Sequence, residues 1–385
     1  MKLGLLTCLK ENINLELLMF ETNYNSVLEK IEKFEIHDYA RTRNFHNGHV
    51  SMLSPYLSRG LITVSFLIDF FSNKGLRYNQ IYKFLQELAW REYFQTNWFL
   101  KKENINLDKN QVSNNYNEIP LAIVNHSTGI NAVDQAIKNL YKFGYMHNHM
   151  RMYVSSIVCN ISGCHWLDAS KWMYYHLFDA DWGSNSQNWQ WISGTSRSKK
   201  YFANQDNINK YFGTSQRNTF LDISYDYITE VDEPKQLKEK SKIELNTNLD
   251  HIKSDLFSLN QNLDTVIYNF YNLDVNWRQE KDYNRILLID TDFFSKYPIS
   301  NESLKFFINL SKNINGLKIF VGTFEEMIFK HKPNRVFYKE HPTNLKYTGI
   351  EDKRESYFSQ DNLYPSFFKF WNANQKNIKK LFSES

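Results

Sequence analysis

Cysteine is scarce in this sequence: the 385 residues include only Cys8, Cys159 and Cys164. Three cysteines cannot form a four-cysteine zinc or iron–sulfur site, and an odd number without repeated spacing does not make a disulfide framework. We therefore expect reduced thiols and a cytoplasmic location. Long apolar runs are also missing. The run at the N-terminus stops at Lys10 and Glu11, too early for a signal peptide or a membrane anchor.

The sequence also has no strong excess of one charge. Lysine and arginine number 46 against 42 acidic residues, a net charge of +4. This balance allows a nucleic-acid partner without requiring one. Aromatic side chains, in contrast, are abundant at 16% of the residues. That surplus fits either a heavy core or stacking surfaces for flat ligands and bases.

Glycine is sparse and proline nearly absent over most of the first 230 residues, and the apolar spacing there is helical. It predicts helices over residues 24–34, from Ser54 through "SPYLSRGLITVSFLIDFFS", and over residues 79–100. The composition changes after Asp232. Residues 233–262 are charged and poor in aromatics, which is typical of a linker or an exposed helix. We therefore place a helical domain at residues 1–232.

The remaining residues, 263–385, alternate between short apolar runs and amphipathic segments. Strands are predicted at 285–290, 317–322 and 334–341, with helices at 302–314 and in "FEEMIFKHK". This alternation implies a small parallel sheet with right-handed crossovers. The predicted fold class is therefore mainly α: a helical domain followed by a small α/β domain of unknown role.

The segment "GYMHNHMRMYVSS", residues 144–156, places unusual side chains close together. In a helix, Asn148, Arg151 and Met152 share one face. An amide, a fixed cation and a soft apolar contact suit a polar, planar, anionic ligand. His147 and His149 are two residues apart and cannot both ligate one metal comfortably, so we expect no metal site.

A second segment, "FLQELAWREYF", has Glu87, Trp90 and Arg91 at the same helical spacing. A carboxylate, an indole and a guanidinium on one face are costly to bury without partners. Taken alone, the segment is equally typical of an amphipathic helix with an ion pair at the surface.

Two further segments have polar groups with more than one interpretation. In "HLFDADWGSNSQNWQWISGT", Asp179 and Asp181 could bind a divalent cation, although the EF-hand spacing is missing. Alternatively, Asp179 pairs with Arg151, and Asp181 accepts a hydrogen bond from a ribose or a ring nitrogen. Ser51 and Ser54 lie near a predicted helix start, which favours phosphate binding but equally fits ordinary capping serines.

Four motifs, "RNFHNGHVSMLSPYLSRG", "ELAWREYF", "GYMHNHMRM" and "DADWGSNSQNWQW", stand in this order in the chain. Together they resemble the FAD-binding helical domain of the DNA photolyase/cryptochrome family, from about Tyr24 to Asp226. The resemblance implies FAD as the cofactor and a photolyase-like lyase as the activity. The reaction would be light-driven repair of cyclobutane pyrimidine dimers in single- or double-stranded UV-damaged DNA. We expect a monomer.

The same resemblance implies a role for particular residues around the flavin. Asn185 matches the residue that faces flavin N5, where asparagine is the pattern of repair enzymes. Val50 and Met52 replace a usual threonine and arginine, which predicts fewer phosphate contacts. The implied cofactor-binding residues are Tyr39, Ser51, Met52, Leu53, Ser54, Glu87, Arg91, Asn148, Arg151, Asp179, Asp181 and Asn185.

On the substrate side, the resemblance implies that two tryptophans clamp a dimer flipped out of the DNA and that a glutamate bonds the thymine edge. The implied catalytic residues are Glu87, Trp90, Asn148, Met152 and Trp191. Trp189 and Trp166 match the inner members of the family's electron-transfer relay. No tryptophan stands at the outer position, near Ser113, and Tyr116 is the nearest candidate.

One departure concerns the order of domains. The family usually begins with an α/β antenna domain, but here the flavin-domain motifs begin by residue 39, so we expect no antenna domain ahead of them. Two other functions stay open: a blue-light photoreceptor without repair activity, and a redox flavoprotein without a light function. The residues Glu87, Trp90, Met152 and Trp191 favour repair over both.

Overall fold

The computed structural model describes residues 20–110, 116–359 and 362–382. The predictions on Cys8, on the N-terminal apolar run and on the outer relay position near Ser113 lie outside these residues. Within them, a set of packed helices is followed by a parallel five-stranded sheet with helices, which confirms the predicted fold class. None of the helices in the described ranges is both long and apolar enough to cross a bilayer.

The helices of the first part begin where a polar side chain satisfies free backbone N–H groups. Asn23, Thr63 and Asp181 each accept such a hydrogen bond, and Gly144 ends a helix in the left-handed conformation. The helices of this part are α1 (Tyr24–Glu32), α2 (Ile36–Thr42), α3 (Ser54–Ser58), α4 (Val64–Asn73), α5 (Tyr78–Lys101), α6 (Leu121–Val124), α7 (Asn131–Phe143), α8 (Asn148–Ser156), α9 (Trp166–His176), α10 (Trp182–Ser193) and α11 (Gln205–Phe212).

The helix predicted to begin at Ser54 is in fact two helices, α3 and α4. Gly60 lies between them with φ +66°, a left-handed conformation that breaks the helix. A Cβ at this position would lie 2.5 Å from the carbonyl oxygen of Tyr271. Glycine therefore allows the chain of the helical part to approach the α/β part closely here.

The polar segment 233–262 was predicted as a linker or an exposed helix. These residues, all within the described part of the chain, contain no α-helix. Strand β2 (Lys240–Ser241) pairs antiparallel with β1 (Ile119–Pro120), and Leu237 is fully buried. The exposed-helix alternative is therefore wrong, and the segment is fastened to the helical part. The proposed domain limits stay a prediction.

The α/β part has five parallel strands rather than the three predicted. The order across the sheet is β5-β4-β3-β6-β7. Two strands were missed because β3 is only four residues long and β7 is short and polar. The elements of this part are β3 (Thr265–Tyr268), β4 (Asn284–Asp290), α12 (Thr291–Lys296), α13 (Asn301–Ser311), β5 (Leu317–Gly322), α14 (Phe324–His331), β6 (Val336–Lys339), β7 (Ile350–Asp352) and α15 (Phe367–Leu381).

Arg59 joins the two parts from inside the core. Its side chain is fully buried, with Cζ 3.4 Å from the centroid of the Phe270 ring, and Nη2 donates to the carbonyl of Ala180. Burial lowers the pKa of Arg59 to about 10, so the guanidinium is still charged at neutral pH. The backbone N–H of Leu273 donates to the carbonyl of Arg59 at 2.9 Å. One hydrophobic core consequently runs through both parts.

The strand order reverses between β3 and β6, the point where open α/β sheets usually bind ligands. Here the protein's own side chains fill that point. The amide of Asn269 donates to Asn344 at 2.9 Å, and His341 stacks on Tyr271 with ring centroids 4.2 Å apart. Burial lowers the pKa of His341 and keeps it neutral. The adjoining cavity holds only about 10 Å³.

We predict that Gly60→Ala lowers the free energy of unfolding by about 2–4 kcal/mol, because a left-handed φ and a backbone clash add together. Gly75→Ala is the matched control. Gly75 has φ +71°, but a methyl group added there would meet no atom within 4 Å, so only the backbone cost of about 1–2 kcal/mol is expected. Denaturant unfolding measures both. Equal losses would show that the close approach to Tyr271 is unimportant.

Candidate functional site

A cavity of about 1320 Å³ opens in the helical part. It exceeds the roughly 300–1,000 Å³ of most small-molecule sites, so it has room for a dinucleotide and a second flat ligand. Most of the residues singled out in the sequence line it. They are Tyr39, Ser51, Ser54, Glu87, Trp90, Arg91, Asn148, Arg151, Met152, Asp179, Asp181, Asn185, Trp189 and Trp191.

Four of the residues implied for the cofactor or the relay are not in this lining. Leu53 is buried in the core, and Met52 occupies a left-handed turn with φ +55°. Trp166 is fully buried behind the cavity wall, whereas Tyr116 is 37% exposed. Because Met52 and Leu53 do not line the cavity, the structure gives no support to contacts between their side chains and a cofactor bound there. The relay roles of Trp166 and Tyr116 stay predictions.

Helix α5 forms one wall of the cavity with Glu87, Trp90 and Arg91. Glu87 uses one oxygen, Oε1, for ion pairs with Arg43 at 3.2 Å and Lys83 at 3.1 Å. The ion pair suggested within this segment is therefore not the one that forms: Glu87 pairs with Arg43 and Lys83, whereas Arg91 pairs with Asp181. The shared helical face predicted for the three residues is confirmed.

The carboxylate of Asp181 connects α5 to α10 beside the cavity. Its side chain is 2% exposed and lies 3.3 Å from Nη1 of Arg91. It also accepts a hydrogen bond from Gln95, and another from the backbone N–H of Ser184 at 2.7 Å, which caps α10. One buried anion therefore fixes the start of the helix that carries Asn185, Trp189 and Trp191.

Helix α8 presents Asn148, Arg151 and Met152 to the cavity, on one face as predicted. Arg151 donates to Asp179 at 2.9 Å and to the carbonyl of Met146 at 2.8 Å. The pairing of Arg151 with Asp179 is therefore as expected. The other oxygen of Asp179, Oδ1, is buried and has no hydrogen-bond partner among the described residues. Such an acceptor is costly unless a ligand donates to it, and a flavin ring carries an N–H group that could.

The two histidines of the "GYMHNHMRM" motif have separate structural partners. The ring of His147 caps α8 by accepting from the backbone N–H of His149, whose own ring contacts the carbonyl of Asn44 at 3.1 Å. Burial lowers the pKa of His147 to about 4, so it is neutral. Neither side chain lines the cavity.

Two tryptophans predicted to contact substrate already have partners within the chain. Phe367 stacks flat on Trp90, with ring centroids 3.6 Å apart and planes 9° apart. The guanidinium of Arg197 lies 3.7 Å from the ring centroid of Trp191. The sequence analysis missed the contribution of the C-terminal segment, although the aromatic run "FFKFW" that begins α15 was a visible signal. The segment residues that line the cavity are Leu363, Tyr364, Pro365, Ser366, Phe367 and Phe368.

Comparison with known proteins identifies this helical part. Residues 84–254 match the family model described as the FAD binding domain of DNA photolyase. This part of the chain belongs to the DNA photolyase/cryptochrome family. The match confirms FAD as the cofactor expected from the sequence. The individual residues that would contact FAD stay a prediction.

Curated relatives carry both names of the family. A deoxyribodipyrimidine photo-lyase of Agrobacterium fabrum is 32% identical over 181 residues, 44% of this chain and 37% of the relative. A cryptochrome DASH of Natronomonas pharaonis is 24% identical over 233 residues, 55% of this chain and 46% of the relative. The chain thus spans less than half the length of these two relatives.

Among solved structures, a bacterial class III photolyase from Agrobacterium tumefaciens aligns with a TM-score of 0.43 and 21% identity. The alignment covers 54% of each chain. An overall likeness of this strength carries no conclusion about function.

We predict that Asp181→Ala destabilises the protein by about 3–5 kcal/mol, because it removes a helix cap and leaves the Arg91 cation without its buried partner. FAD content after purification should fall as well. Asp206→Ala removes an ion pair with Arg217 in which both side chains are more than half exposed, and it should cost less than about 1 kcal/mol. Thermal unfolding and the flavin-to-protein absorbance ratio measure these effects. Wild-type stability in Asp181→Ala would contradict the prediction.

Proposed function

We propose that this protein splits cyclobutane pyrimidine dimers in DNA by light-driven electron transfer from reduced FAD. The observation that carries the proposal is the shared cavity: the side chains implied for the flavin and those implied for the lesion line one space. Bound FAD would supply the electron and take it back after the dimer has split. Arg151, Asp179, Asp181 and Asn185 would hold and orient the flavin.

The other end of the cavity offers groups suited to a flipped-out dimer. Phe367 covers one face of Trp90 and Arg197 lies over one face of Trp191, so a dimer would stack on the faces that these partners leave. Met152 would provide a soft contact for the cyclobutane ring. Glu87 would accept a hydrogen bond from the thymine edge, held in position by its ion pairs with Arg43 and Lys83. Each of these groups binds or orients the lesion next to the electron donor.

Basic side chains among the lining residues favour DNA as the partner. Lys101, Lys109 and Arg197 all line the cavity. Burial, followed by the nearby charge of Lys109, lowers the pKa of Lys101. Lysine and arginine side chains contact phosphates in most protein–DNA interfaces. The net charge of +4 is consistent with such a local patch rather than with a basic surface overall.

The lining also favours cyclobutane dimers over (6-4) photoproducts. Repair of a (6-4) lesion needs a proton donor beside it, and the (6-4) branch of the family places histidines there. The corresponding positions here are Asn148 and Met152, neither of which acts as a general acid. His147 and His149 lie outside the lining and are committed to backbone contacts.

A blue-light photoreceptor without repair activity is the alternative, and the cryptochrome DASH among the relatives favours considering it. The two functions share the flavin and differ in the reaction. Illumination of the reduced protein with a dimer-containing oligonucleotide separates them directly. Turnover of the dimer supports repair, whereas a protein loaded with reduced FAD that leaves the dimer intact supports the photoreceptor function.

We predict that Glu87→Ala lowers the yield of dimer repair per absorbed photon several-fold, because the thymine edge loses a hydrogen-bond partner during electron transfer. FAD content should stay at the wild-type level. Glu29→Ala, which removes a carboxylate from an exposed pair with Lys33, is the control and should repair normally. Undiminished repair by Glu87→Ala would remove this residue from the proposed site.

A further inference from the structure

Two buried tryptophans of the helical part have indole N–H groups in opposite situations. Nε1 of Trp166 donates to Oδ1 of Asp108 at 2.6 Å. Nε1 of Trp189 is buried and has no hydrogen-bond partner among the residues that the structure describes. Helices α9 and α10, which carry them, pack against each other. The indole N–H of Trp166 therefore has a carboxylate that can accept its proton, whereas that of Trp189 has no acceptor among the described residues.

Asp108 is well placed to pass a proton onward. Its second oxygen lies 3.0 Å from Nε2 of His165, and its side chain is 25% exposed and lines the cavity. The following backbone N–H groups, of Lys109 and Asn110, donate to the carbonyl of Thr195 at 3.0 and 2.8 Å. These two hydrogen bonds anchor the backbone next to Asp108, so its carboxylate is held beside the indole N–H of Trp166.

An indole that has lost an electron is a far stronger acid than a neutral indole, and a carboxylate beside it both stabilises the cation and accepts its proton. We propose that Asp108 is the proton acceptor of Trp166 when this tryptophan is oxidised during photoreduction of the flavin. The inference rests on the proposed function, because it needs light-excited oxidised FAD as the one-electron oxidant.

Electrons and protons balance in this step. Trp189 gives one electron to the oxidant and regains one from Trp166. The Nε1–H bond of Trp166 then breaks, an O–H bond forms on Asp108, and a neutral indolyl radical is left on Trp166. The proton continues to water at the cavity, because Nε2 of His165 already carries a proton: Nδ1 of that ring accepts from the backbone N–H of Leu167. Trp189, with its unpartnered N–H group, cannot lose its proton in this way.

This asymmetry gives the electron transfer a direction. Return of an electron from Trp189 to Trp166 would require the proton to return to Trp166 as well, so the oxidised site stays on Trp166. The chain has no tryptophan at the outer relay position near Ser113. Proton loss at Trp166 would supply the separation of charge that a third tryptophan otherwise provides.

Transient absorption of the FAD-loaded protein tests the proposal, because a neutral indolyl radical and an indole radical cation absorb at different wavelengths. In the wild type, the neutral radical should form, and more slowly in D₂O than in H₂O. In Asp108→Asn the oxidised Trp166 should stay a radical cation instead of losing its proton. It should therefore recombine several-fold faster than in the wild type, with a several-fold lower yield of photoreduced flavin. The control is Asp168→Asn, an exposed carboxylate of α9 paired with Lys171, which should behave as wild type.

A second measurement needs no flavin. The ultraviolet resonance Raman band that reports hydrogen bonding of the indole N–H should show a strong bond in the FAD-free wild type. Nε1 of Trp277 also donates to a carboxylate, that of Asp352, at 2.8 Å. The share of the band due to Trp166 is the share lost in Trp166→Phe, and Asp108→Asn should weaken that same share. A protein that binds no FAD would overturn the proposed function while leaving the Raman result intact. A wild type that binds FAD but forms the Trp166 cation without an isotope effect would overturn the role of Asp108, even if Asp108→Asn failed to fold.

Discussion

The site depends on one buried anion, the carboxylate of Asp181. It is the point at which α5, which carries Glu87, Trp90 and Arg91, meets α10, which carries Asn185, Trp189 and Trp191. A charge this deeply buried is tolerated because Arg91, Gln95 and the first turn of α10 satisfy it together. These few bonds fasten α5 and α10 to each other beside the cavity.

A second buried charge, the guanidinium of Arg59, helps to join the helical part to the sheet. The buried guanidinium of Arg59 lies on the ring of Phe270, and Gly60 allows the backbones to touch beside it. The helical part therefore packs against the carboxyl ends of the strands, the edge where α/β sheets usually bind ligands. Asn269, Asn344 and His341 fill that edge. The sheet packs against the flavin-binding part through this edge, and the described cavity there holds only about 10 Å³.

The sequence was most informative where function follows from local spacing. Residues three and four apart on α5 and α8 were predicted to share a face, and they do line one cavity, because helical geometry alone decides this. The strands β3 and β7 were missed because a strand of three or four residues has too little alternation to be recognised.

Contacts between distant parts of the chain left no local signal. Trp90 and Phe367 stack although hundreds of residues separate them, and only the folded chain shows that a C-terminal helix completes the cavity. Asp108 stood in an ordinary polar stretch, and its significance depends entirely on the 2.6 Å distance to Trp166. Such pairings are set by packing, which periodicity and composition do not report.

The stack of Phe367 on Trp90 also bears on how the protein is made. During synthesis the ribosome releases the helical part long before it releases Phe367, so a face of Trp90 stays uncovered until the α/β part and the start of α15 have emerged. Domains generally fold as units in the order of their synthesis, and exposed aromatic surface invites association in the meantime. The exposed aromatic surface of the helical part is thus greatest before α15 has been made, and a chaperone would have most apolar surface to cover at that stage.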